Sequence, residues 1–218
     1  MIRDLTDATQ DYVKEIYKLR LEGRRATTSA IAERMGVRPP SVTAMLKRLS
    51  ALGLAEHAPY RGVELTPAGE RVALEVIRHH RLLELYLAQA LGLSLDEVHS
   101  EADRLEHALS EELEARIDRS LGYPTHDPHG DPIPDAELHI DRARLRTLAS
   151  LEPGDEATIK RVPDGDDELL RYLTKLALVP GKKVKLRAAE PFGGPLTVRV
   201  GKAQHAISRE LAGGIGVT

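Results

Sequence analysis

The stretch TTSAIAERMGVRPPSVTAMLKRLSALG, residues 27–53, holds two helices and the turn between them. Thr27, Thr28 and Ser29 are N-cap candidates, because a side-chain hydroxyl can accept from a backbone N–H of the first helical turn. The short helix they open runs from Ala30 to Met35 and stops at Gly36, the residue type that best takes the left-handed conformation closing a helix. Pro39, Pro40 and Ser41 open the second helix, since the fixed φ of proline suits a first turn whose N–H groups have no helical partner. Val42, Met45, Leu46, Leu49 and Leu52 then recur at helical spacing before Gly53.

On the amino-terminal side, Leu5, Tyr12, Val13, Ile16, Tyr17 and Leu19 mark a helix over residues 4–22. On the other side, residues 54–57 and 62–65 are short strand candidates around Pro59, Tyr60, Arg61 and Gly62, a hairpin. Helix, short turn, helix, hairpin is the order of a winged helix-turn-helix, whose second helix enters the major groove. Arg38, Pro39, Pro40, Ser41 and Thr43 are its base-edge candidates, while Lys47, Arg48 and the wing residue Arg61 suit phosphate contacts. A helical hairpin used for protein contact would share the pattern, but the Pro-Pro-Ser opening and the Tyr-Arg-Gly wing together favour DNA.

Composition narrows the rest. The 218 residues include no cysteine, which excludes disulfides, thiolate zinc sites, iron–sulfur clusters and cysteine nucleophiles. One Phe, six Tyr and no Trp speak against a protein that stacks single-stranded bases. No apolar run approaches the ~20 residues that span a bilayer, and the first residues carry no signal-peptide pattern; a cytoplasmic protein without membrane contact is expected. Net charge is −3 but unevenly spread. Residues 1–70 carry 11 Lys/Arg against 9 Asp/Glu, residues 71–141 carry 6 against 16, and residues 142–218 carry 14 against 9. Seven of the nine histidines share the acidic middle block. Carboxylate and imidazole concentrated together suit a hard or borderline divalent cation.

Thr66 and Pro67 start a long helix reaching about Leu91, and Asp96 to Ser120 holds one or two more. His99, Asp103, Glu106 and His107 fall at i, i+4, i+7 and i+8; at about 100° per residue they share one helix face. His80 and Glu84, at i and i+4 on the preceding helix, offer a second such face. Facing helices with inward ligands are how bundle metal sites are built. Oxygen and imidazole donors admit Mn2+, Fe2+, Co2+ or Zn2+ and lean toward Mn2+. A Pro-rich loop over 124–134 follows. After Leu151 the period shortens to alternation at Val184/Leu186 and Leu196/Val198/Val200, with one helix at about 166–177, as in a small β-barrel. The expected fold is therefore mainly α. It comprises a winged helix-turn-helix domain (1–70), a helical dimerisation and metal-binding domain (71–141) and a small β-barrel domain (142–218).

Residues 7–17 (DATQDYVKEIY), 31–35 (IAERM), 40–43 (PSVT), 80–84 (HRLLE) and 98–107 (VHSEADRLEH) together resemble diphtheria-toxin-repressor-type (DtxR/MntR) metalloregulators, essentially along the whole chain. The carboxy-terminal segment is similar to the SH3-like (FeoA-like) domain of longer members. The resemblance implies a primary metal site of Asp11, Asp103, Glu106 and His107, and a second drawing on His80, Glu84 and His99. Residues 127–130 (DPHG) match a loop that adds ligands in some manganese regulators, making Asp127 and His129 candidates. Carboxylates at positions 11 and 103 are the manganese-type choice, where iron-type members place methionine and cysteine. Lys14 stands where compact two-manganese members have glutamate, which argues against a closely spaced ion pair. Arg161 and Asp164 fall at the positions of ancillary ligands from the last domain, and an arginine cannot ligate.

These readings lead to a homodimeric, Mn2+-activated repressor of manganese or iron uptake genes, acting on palindromic double-stranded operator DNA. An Fe2+-responsive regulator of the same family is the alternative, and other divalent ions such as Co2+, Zn2+ or Cd2+ are expected to bind in vitro. A metal-dependent phosphoesterase is disfavoured by the absence of a phosphate-cradling glycine loop or an activated nucleophile. No organic small-molecule ligand is expected.

Overall fold

The computed structural model describes residues 5–58, 62–141, 144–164 and 166–218. Arg61, expected in the wing, lies outside the described residues. The chain divides into two compact units. One comprises Met1–His80, Glu106–Leu109 and Pro134–His139; the other comprises Arg81–Leu105, Ser110–Ile133 and Ile140–Thr218.

In the first unit, α1 (Asp7–Leu21), α2 (Thr28–Met35) and α3 (Pro39–Ala51) precede an antiparallel hairpin of β1 (Ala55–Ala58) and β2 (Gly62–Leu65). Val13, Ile16 and Leu19 on α1, Ile31 on α2 and Val42 and Leu49 on α3 are fully buried. Burying each such side chain contributes about 1.5–3 kcal/mol. The helix signals in the sequence are realised. Ala30 N–H donates to the Thr27 hydroxyl, Gly36 takes φ +62°, and the two prolines sit in the first turn of α3. The register sets Ala55 opposite Leu65, and Val63 N–H donates to the Ala26 carbonyl, fastening the hairpin to the chain ahead of α2. Thr66 caps the start of α4 (Pro67–Leu91) through Gly69 N–H while its hydroxyl donates to the Gly53 carbonyl. The helix therefore begins where α3 and the hairpin end.

The second unit takes the last turns of α4, then α5 (Leu95–Leu105), α6 (Glu111–Ser120) and a six-stranded antiparallel sheet. The strands are β3 (Arg146–Thr147), β4 (Glu156–Arg161), β5 (Lys183–Ala189), β6 (Leu196–Val200), β7 (Ala203–Ile207) and β8 (Gly216–Val217), in spatial order β3-β8-β4-β5-β6-β7. Ile159, Val184, Leu186, Leu196 and Val198 point inward with Leu170 and Leu173 of α7 (Asp167–Lys175). Among the described residues the pairing runs from edge β3 to edge β7, with no ladder joining the two edges. A 3-10 turn (Leu148–Ser150) packs on α8 (Arg209–Gly214) at the β3–β8 end. Arg171 of α7 lies 3.4 Å from Asp96 at the start of α5. Among the described residues no helix is long and apolar enough to cross a membrane.

One element differs from the expected one. The helix anticipated through His107 stops at Leu105, and Glu106 and His107 lie in the turn that follows. The four-residue helical face is therefore broken after Asp103. The carbonyl of Glu106 instead accepts a hydrogen bond from His79 Nδ1 at 3.1 Å, a side-chain partner for a backbone group outside the helix. Ser110 then caps the new helix α6 by accepting from Leu113 N–H.

Candidate metal centre

In the first unit, Asp11 on α1 meets Glu106 and His107 of the turn. Each of the three offers a ligand atom, all within 4.8 Å of one another. His107 Nε2 lies 3.0 Å from Asp11 Oδ1 and 3.4 Å from Glu106 Oε1. The other ring nitrogen is occupied, since Nδ1–H donates to Gln10 Oε1 at 2.8 Å while the Gln10 amide donates to the Leu5 carbonyl. A second partner on Nδ1 fixes the tautomer that leaves Nε2 for a metal. The Asp11 hydrogen bond first, then the charges of Glu106 and Asp11, hold the His107 imidazole above its usual range despite partial burial. Glu106 is buried. Its Oε2 accepts from His80 Nδ1 at 2.7 Å, and its Oε1 accepts from Lys14 Nζ at 2.6 Å. Two carboxylates and an imidazole with no sulfur fit a divalent cation of hard or borderline character.

In the second unit, Glu84 of α4, His99 of α5 and His129 of the loop after α6 converge. His99 Nδ1 and His129 Nε2 lie 3.1 and 3.5 Å from Glu84 Oε1. Asp103 sits one turn beyond His99, 3.7 Å from its Nε2 and nearly half exposed. His129 is fully buried, and neither ring nitrogen makes a hydrogen bond. A buried imidazole with two idle nitrogens fits a ligand position, because buried polar atoms are otherwise satisfied. Burial lowers the His129 pKa, but Glu84, then Asp127 and Asp164, outweigh it and raise it overall.

Asp127 gives one carboxylate oxygen to the loop and keeps the other buried without a hydrogen bond, as does Glu84 with its Oε2. Asp127 Oδ1 accepts from His129 N–H and Asp131 N–H, shaping the loop, while its Oδ2 lies 3.5 Å from Arg81. Burial, with Glu84 and Asp131 nearby, pushes the Asp127 carboxyl up to about 8. Arg161 lies 3.6 Å from Asp131 and so braces the same loop.

The DNA-reading candidates of α3 share one outward face: Arg38, Pro39, Pro40, Ser41, Thr43, Lys47 and Arg48 are all exposed. The Thr43 hydroxyl donates to the Pro39 carbonyl at 3.1 Å, which leaves its methyl outward for base contact.

Residues 4–63 match the family described as iron dependent repressor, N-terminal DNA binding domain. Residues 66–135 match its metal binding and dimerisation domain. The chain belongs to the iron-dependent repressor family. Its members are metal-dependent transcriptional repressors that bind operator DNA and dimerise, and they are not enzymes. Residues 146–218 match the FeoA domain. The iron-dependent repressor IdeR of Mycobacterium tuberculosis is 34% identical over 99% of both chains. The diphtheria toxin repressor of Corynebacterium diphtheriae is 38% identical over 61% of this chain and 59% of its own. Among solved structures, a manganese-dependent transcriptional repressor in complex with manganese superposes at TM-score 0.87 with 37% identity, covering 96% of this chain and 98% of that one. ScaR with bound Zn2+ superposes at 0.84 with 31% identity over 96% and 98%.

Sequence reasoning missed Gln10 and Arg81, and it named His80 as a candidate ligand and Lys14 as a departure from the family without their shared partner Glu106. Gln10 orients His107, Lys14 and His80 hold Glu106, and Arg81 holds Asp127. One signal was available. Gln10 and Lys14 are polar residues one turn apart that fall among the buried positions of α1, and a polar group there needs a partner.

Proposed function

We propose that this repressor is activated by Mn2+, acts as a cytoplasmic homodimer on a palindromic operator, and controls manganese or iron uptake genes. The observation that carries the metal assignment is the donor set Asp11, Glu106 and His107, all oxygen or imidazole nitrogen. Glu84, His99, Asp127 and His129 form or shape the second set, with Asp103 one turn from His99, while His80 holds Glu106 in the first. The reading as an Fe2+ sensor has its own support, since the IdeR relatives are named iron-dependent while the solved structures include manganese-dependent repressors.

Asp11, Glu106 and His107, from separate segments, would hold the cation, which would supply positive charge to offset their two carboxylates. The chain supplies the rest. Asp11 lies on α1, which packs beneath α2 and α3. Tying α1 to the turn at Glu106 and His107 therefore limits how the reading helix is presented. By linkage, metal and operator strengthen each other's binding by the same factor.

The test is fluorescence anisotropy on operator DNA across Mn2+, Fe2+, Co2+ and Zn2+, with a chelator control. Binding at the lowest free concentration with Mn2+ and none with chelator is expected. Equal affinity in chelator would remove the metal dependence, and Fe2+ acting first would favour the second reading. Lys47→Ala is expected to weaken binding to all sequences alike and to reduce the log–log salt slope by about 1, the signature of one lost phosphate contact. A loss confined to one operator sequence would make Lys47 a base reader.

A further inference from the structure

The ion pair between Lys14 and Glu106 is not accounted for by metal ligation. The two side chains are 6% and 0% exposed, and the ammonium stands 2.6 Å from Oε1 of the carboxylate. That oxygen is also the one 3.4 Å from His107 Nε2, so it is the Glu106 atom facing the rest of the ligand set. Oε2 is held by His80. A divalent cation taking Oε1 must therefore enter the space beside a positive charge already bound there. An ammonium on a flexible four-carbon stem can swing aside, which a rigid planar guanidinium does less readily.

We propose that Lys14 is the resident counter-cation of the metal-free site. It neutralises the buried Glu106 carboxylate until a metal arrives, gives way to a single ion, and so sets the metal concentration at which the site fills. This rests on the reading of Asp11, Glu106 and His107 as the regulatory metal site. Burying a lone carboxylate is costly, and a partner that leaves on metal entry makes the metal-free state more stable than the ligands alone would. Affinity is thereby traded for a higher threshold. Lys14 acts as a positioning and specificity residue, never as a ligand.

The test is titration calorimetry of MnCl2 into chelator-stripped full-length protein. Lys14→Leu removes the charge and offers no donor; Lys14→Gln is the second variant, able to donate to Glu106 and keep the fold if the leucine does not. Both are expected to bind Mn2+ with a Kd about tenfold lower than wild type, a change of about 1.4 kcal/mol. A residue that merely held the fold would weaken binding on substitution instead. An unchanged or higher Kd in both variants, at a site still lost on His107→Ala, would overturn the role of Lys14 alone. A wild-type affinity indifferent to His107→Ala would overturn the site assignment, and this proposal with it.

Discussion

Asp11→Ala and His107→Ala are each expected to raise the Mn2+ dissociation constant at least about 100-fold and to abolish metal-dependent operator binding, with the fold intact. Outer-shell changes at metal sites already cost about 10–100-fold, and these residues supply the donor atoms themselves. Both side chains are partly exposed, at 35% for Asp11 and 13% for His107, so truncation leaves no large cavity in the core. Circular dichroism checks the fold, calorimetry the affinity and anisotropy the DNA binding. Wild-type affinity in either variant would show that the ion is held elsewhere. Glu106→Ala is a poorer probe of the same question, because it removes the buried carboxylate that both Lys14 and His80 bind. Lost stability and lost ligation would then be confounded.

The sequence revealed different parts of this protein to different degrees. The winged helix-turn-helix was legible because its signals are local. Thr27, Gly36, Pro39, Pro40 and Gly53 each act within a turn, and the apolar spacing of α3 survives into the packed structure. The end of α5 was not legible. Glu106 and His107 continue a good helical pattern, and only a side chain from a distant segment, His79, provides the carbonyl of Glu106 with an alternative partner. The ligand set around Asp11 needed family resemblance, since more than ninety positions separate Asp11 from Glu106 and His107 and periodicity carries no long-range pairing. The alternation of β5 and β6 announced a sheet, but the two-residue strands β3 and β8 that extend it beyond β4 are too short to leave a pattern. Lys14 was noticed as a departure from the family and its partner was not, because an ion pair between positions 14 and 106 leaves no trace in local spacing.

Gly130→Ala is expected to have the largest effect on stability of any single-methyl addition in the loop that carries His129. Gly130 has φ +90°, and a Cβ there would overlap the backbone carbonyl oxygen of Lys160 on β4. The opposing atom is backbone, not the end of a flexible side chain, so the loop and the strand must separate. Their seam includes Val162 N–H donating to the His129 carbonyl at 2.9 Å, and within the loop Gly130 N–H donates to the Asp127 carbonyl. Clash and left-handed strain together are expected to cost about 3 kcal/mol or more. For a chain of this size that lowers the melting midpoint by roughly 6–12 °C, read by differential scanning calorimetry. The second unit then presents His129 to Glu84 less well, and any ion bound there is lost while the His107-dependent site keeps its affinity. Gly154→Ala separates the two causes. It has φ +107° but nothing within 4 Å of a new Cβ, so strain alone acts, at about 1 kcal/mol. Equal losses from the two substitutions would mean that the approach of the loop to β4 contributes nothing, and that His129 is held in place by some other contact.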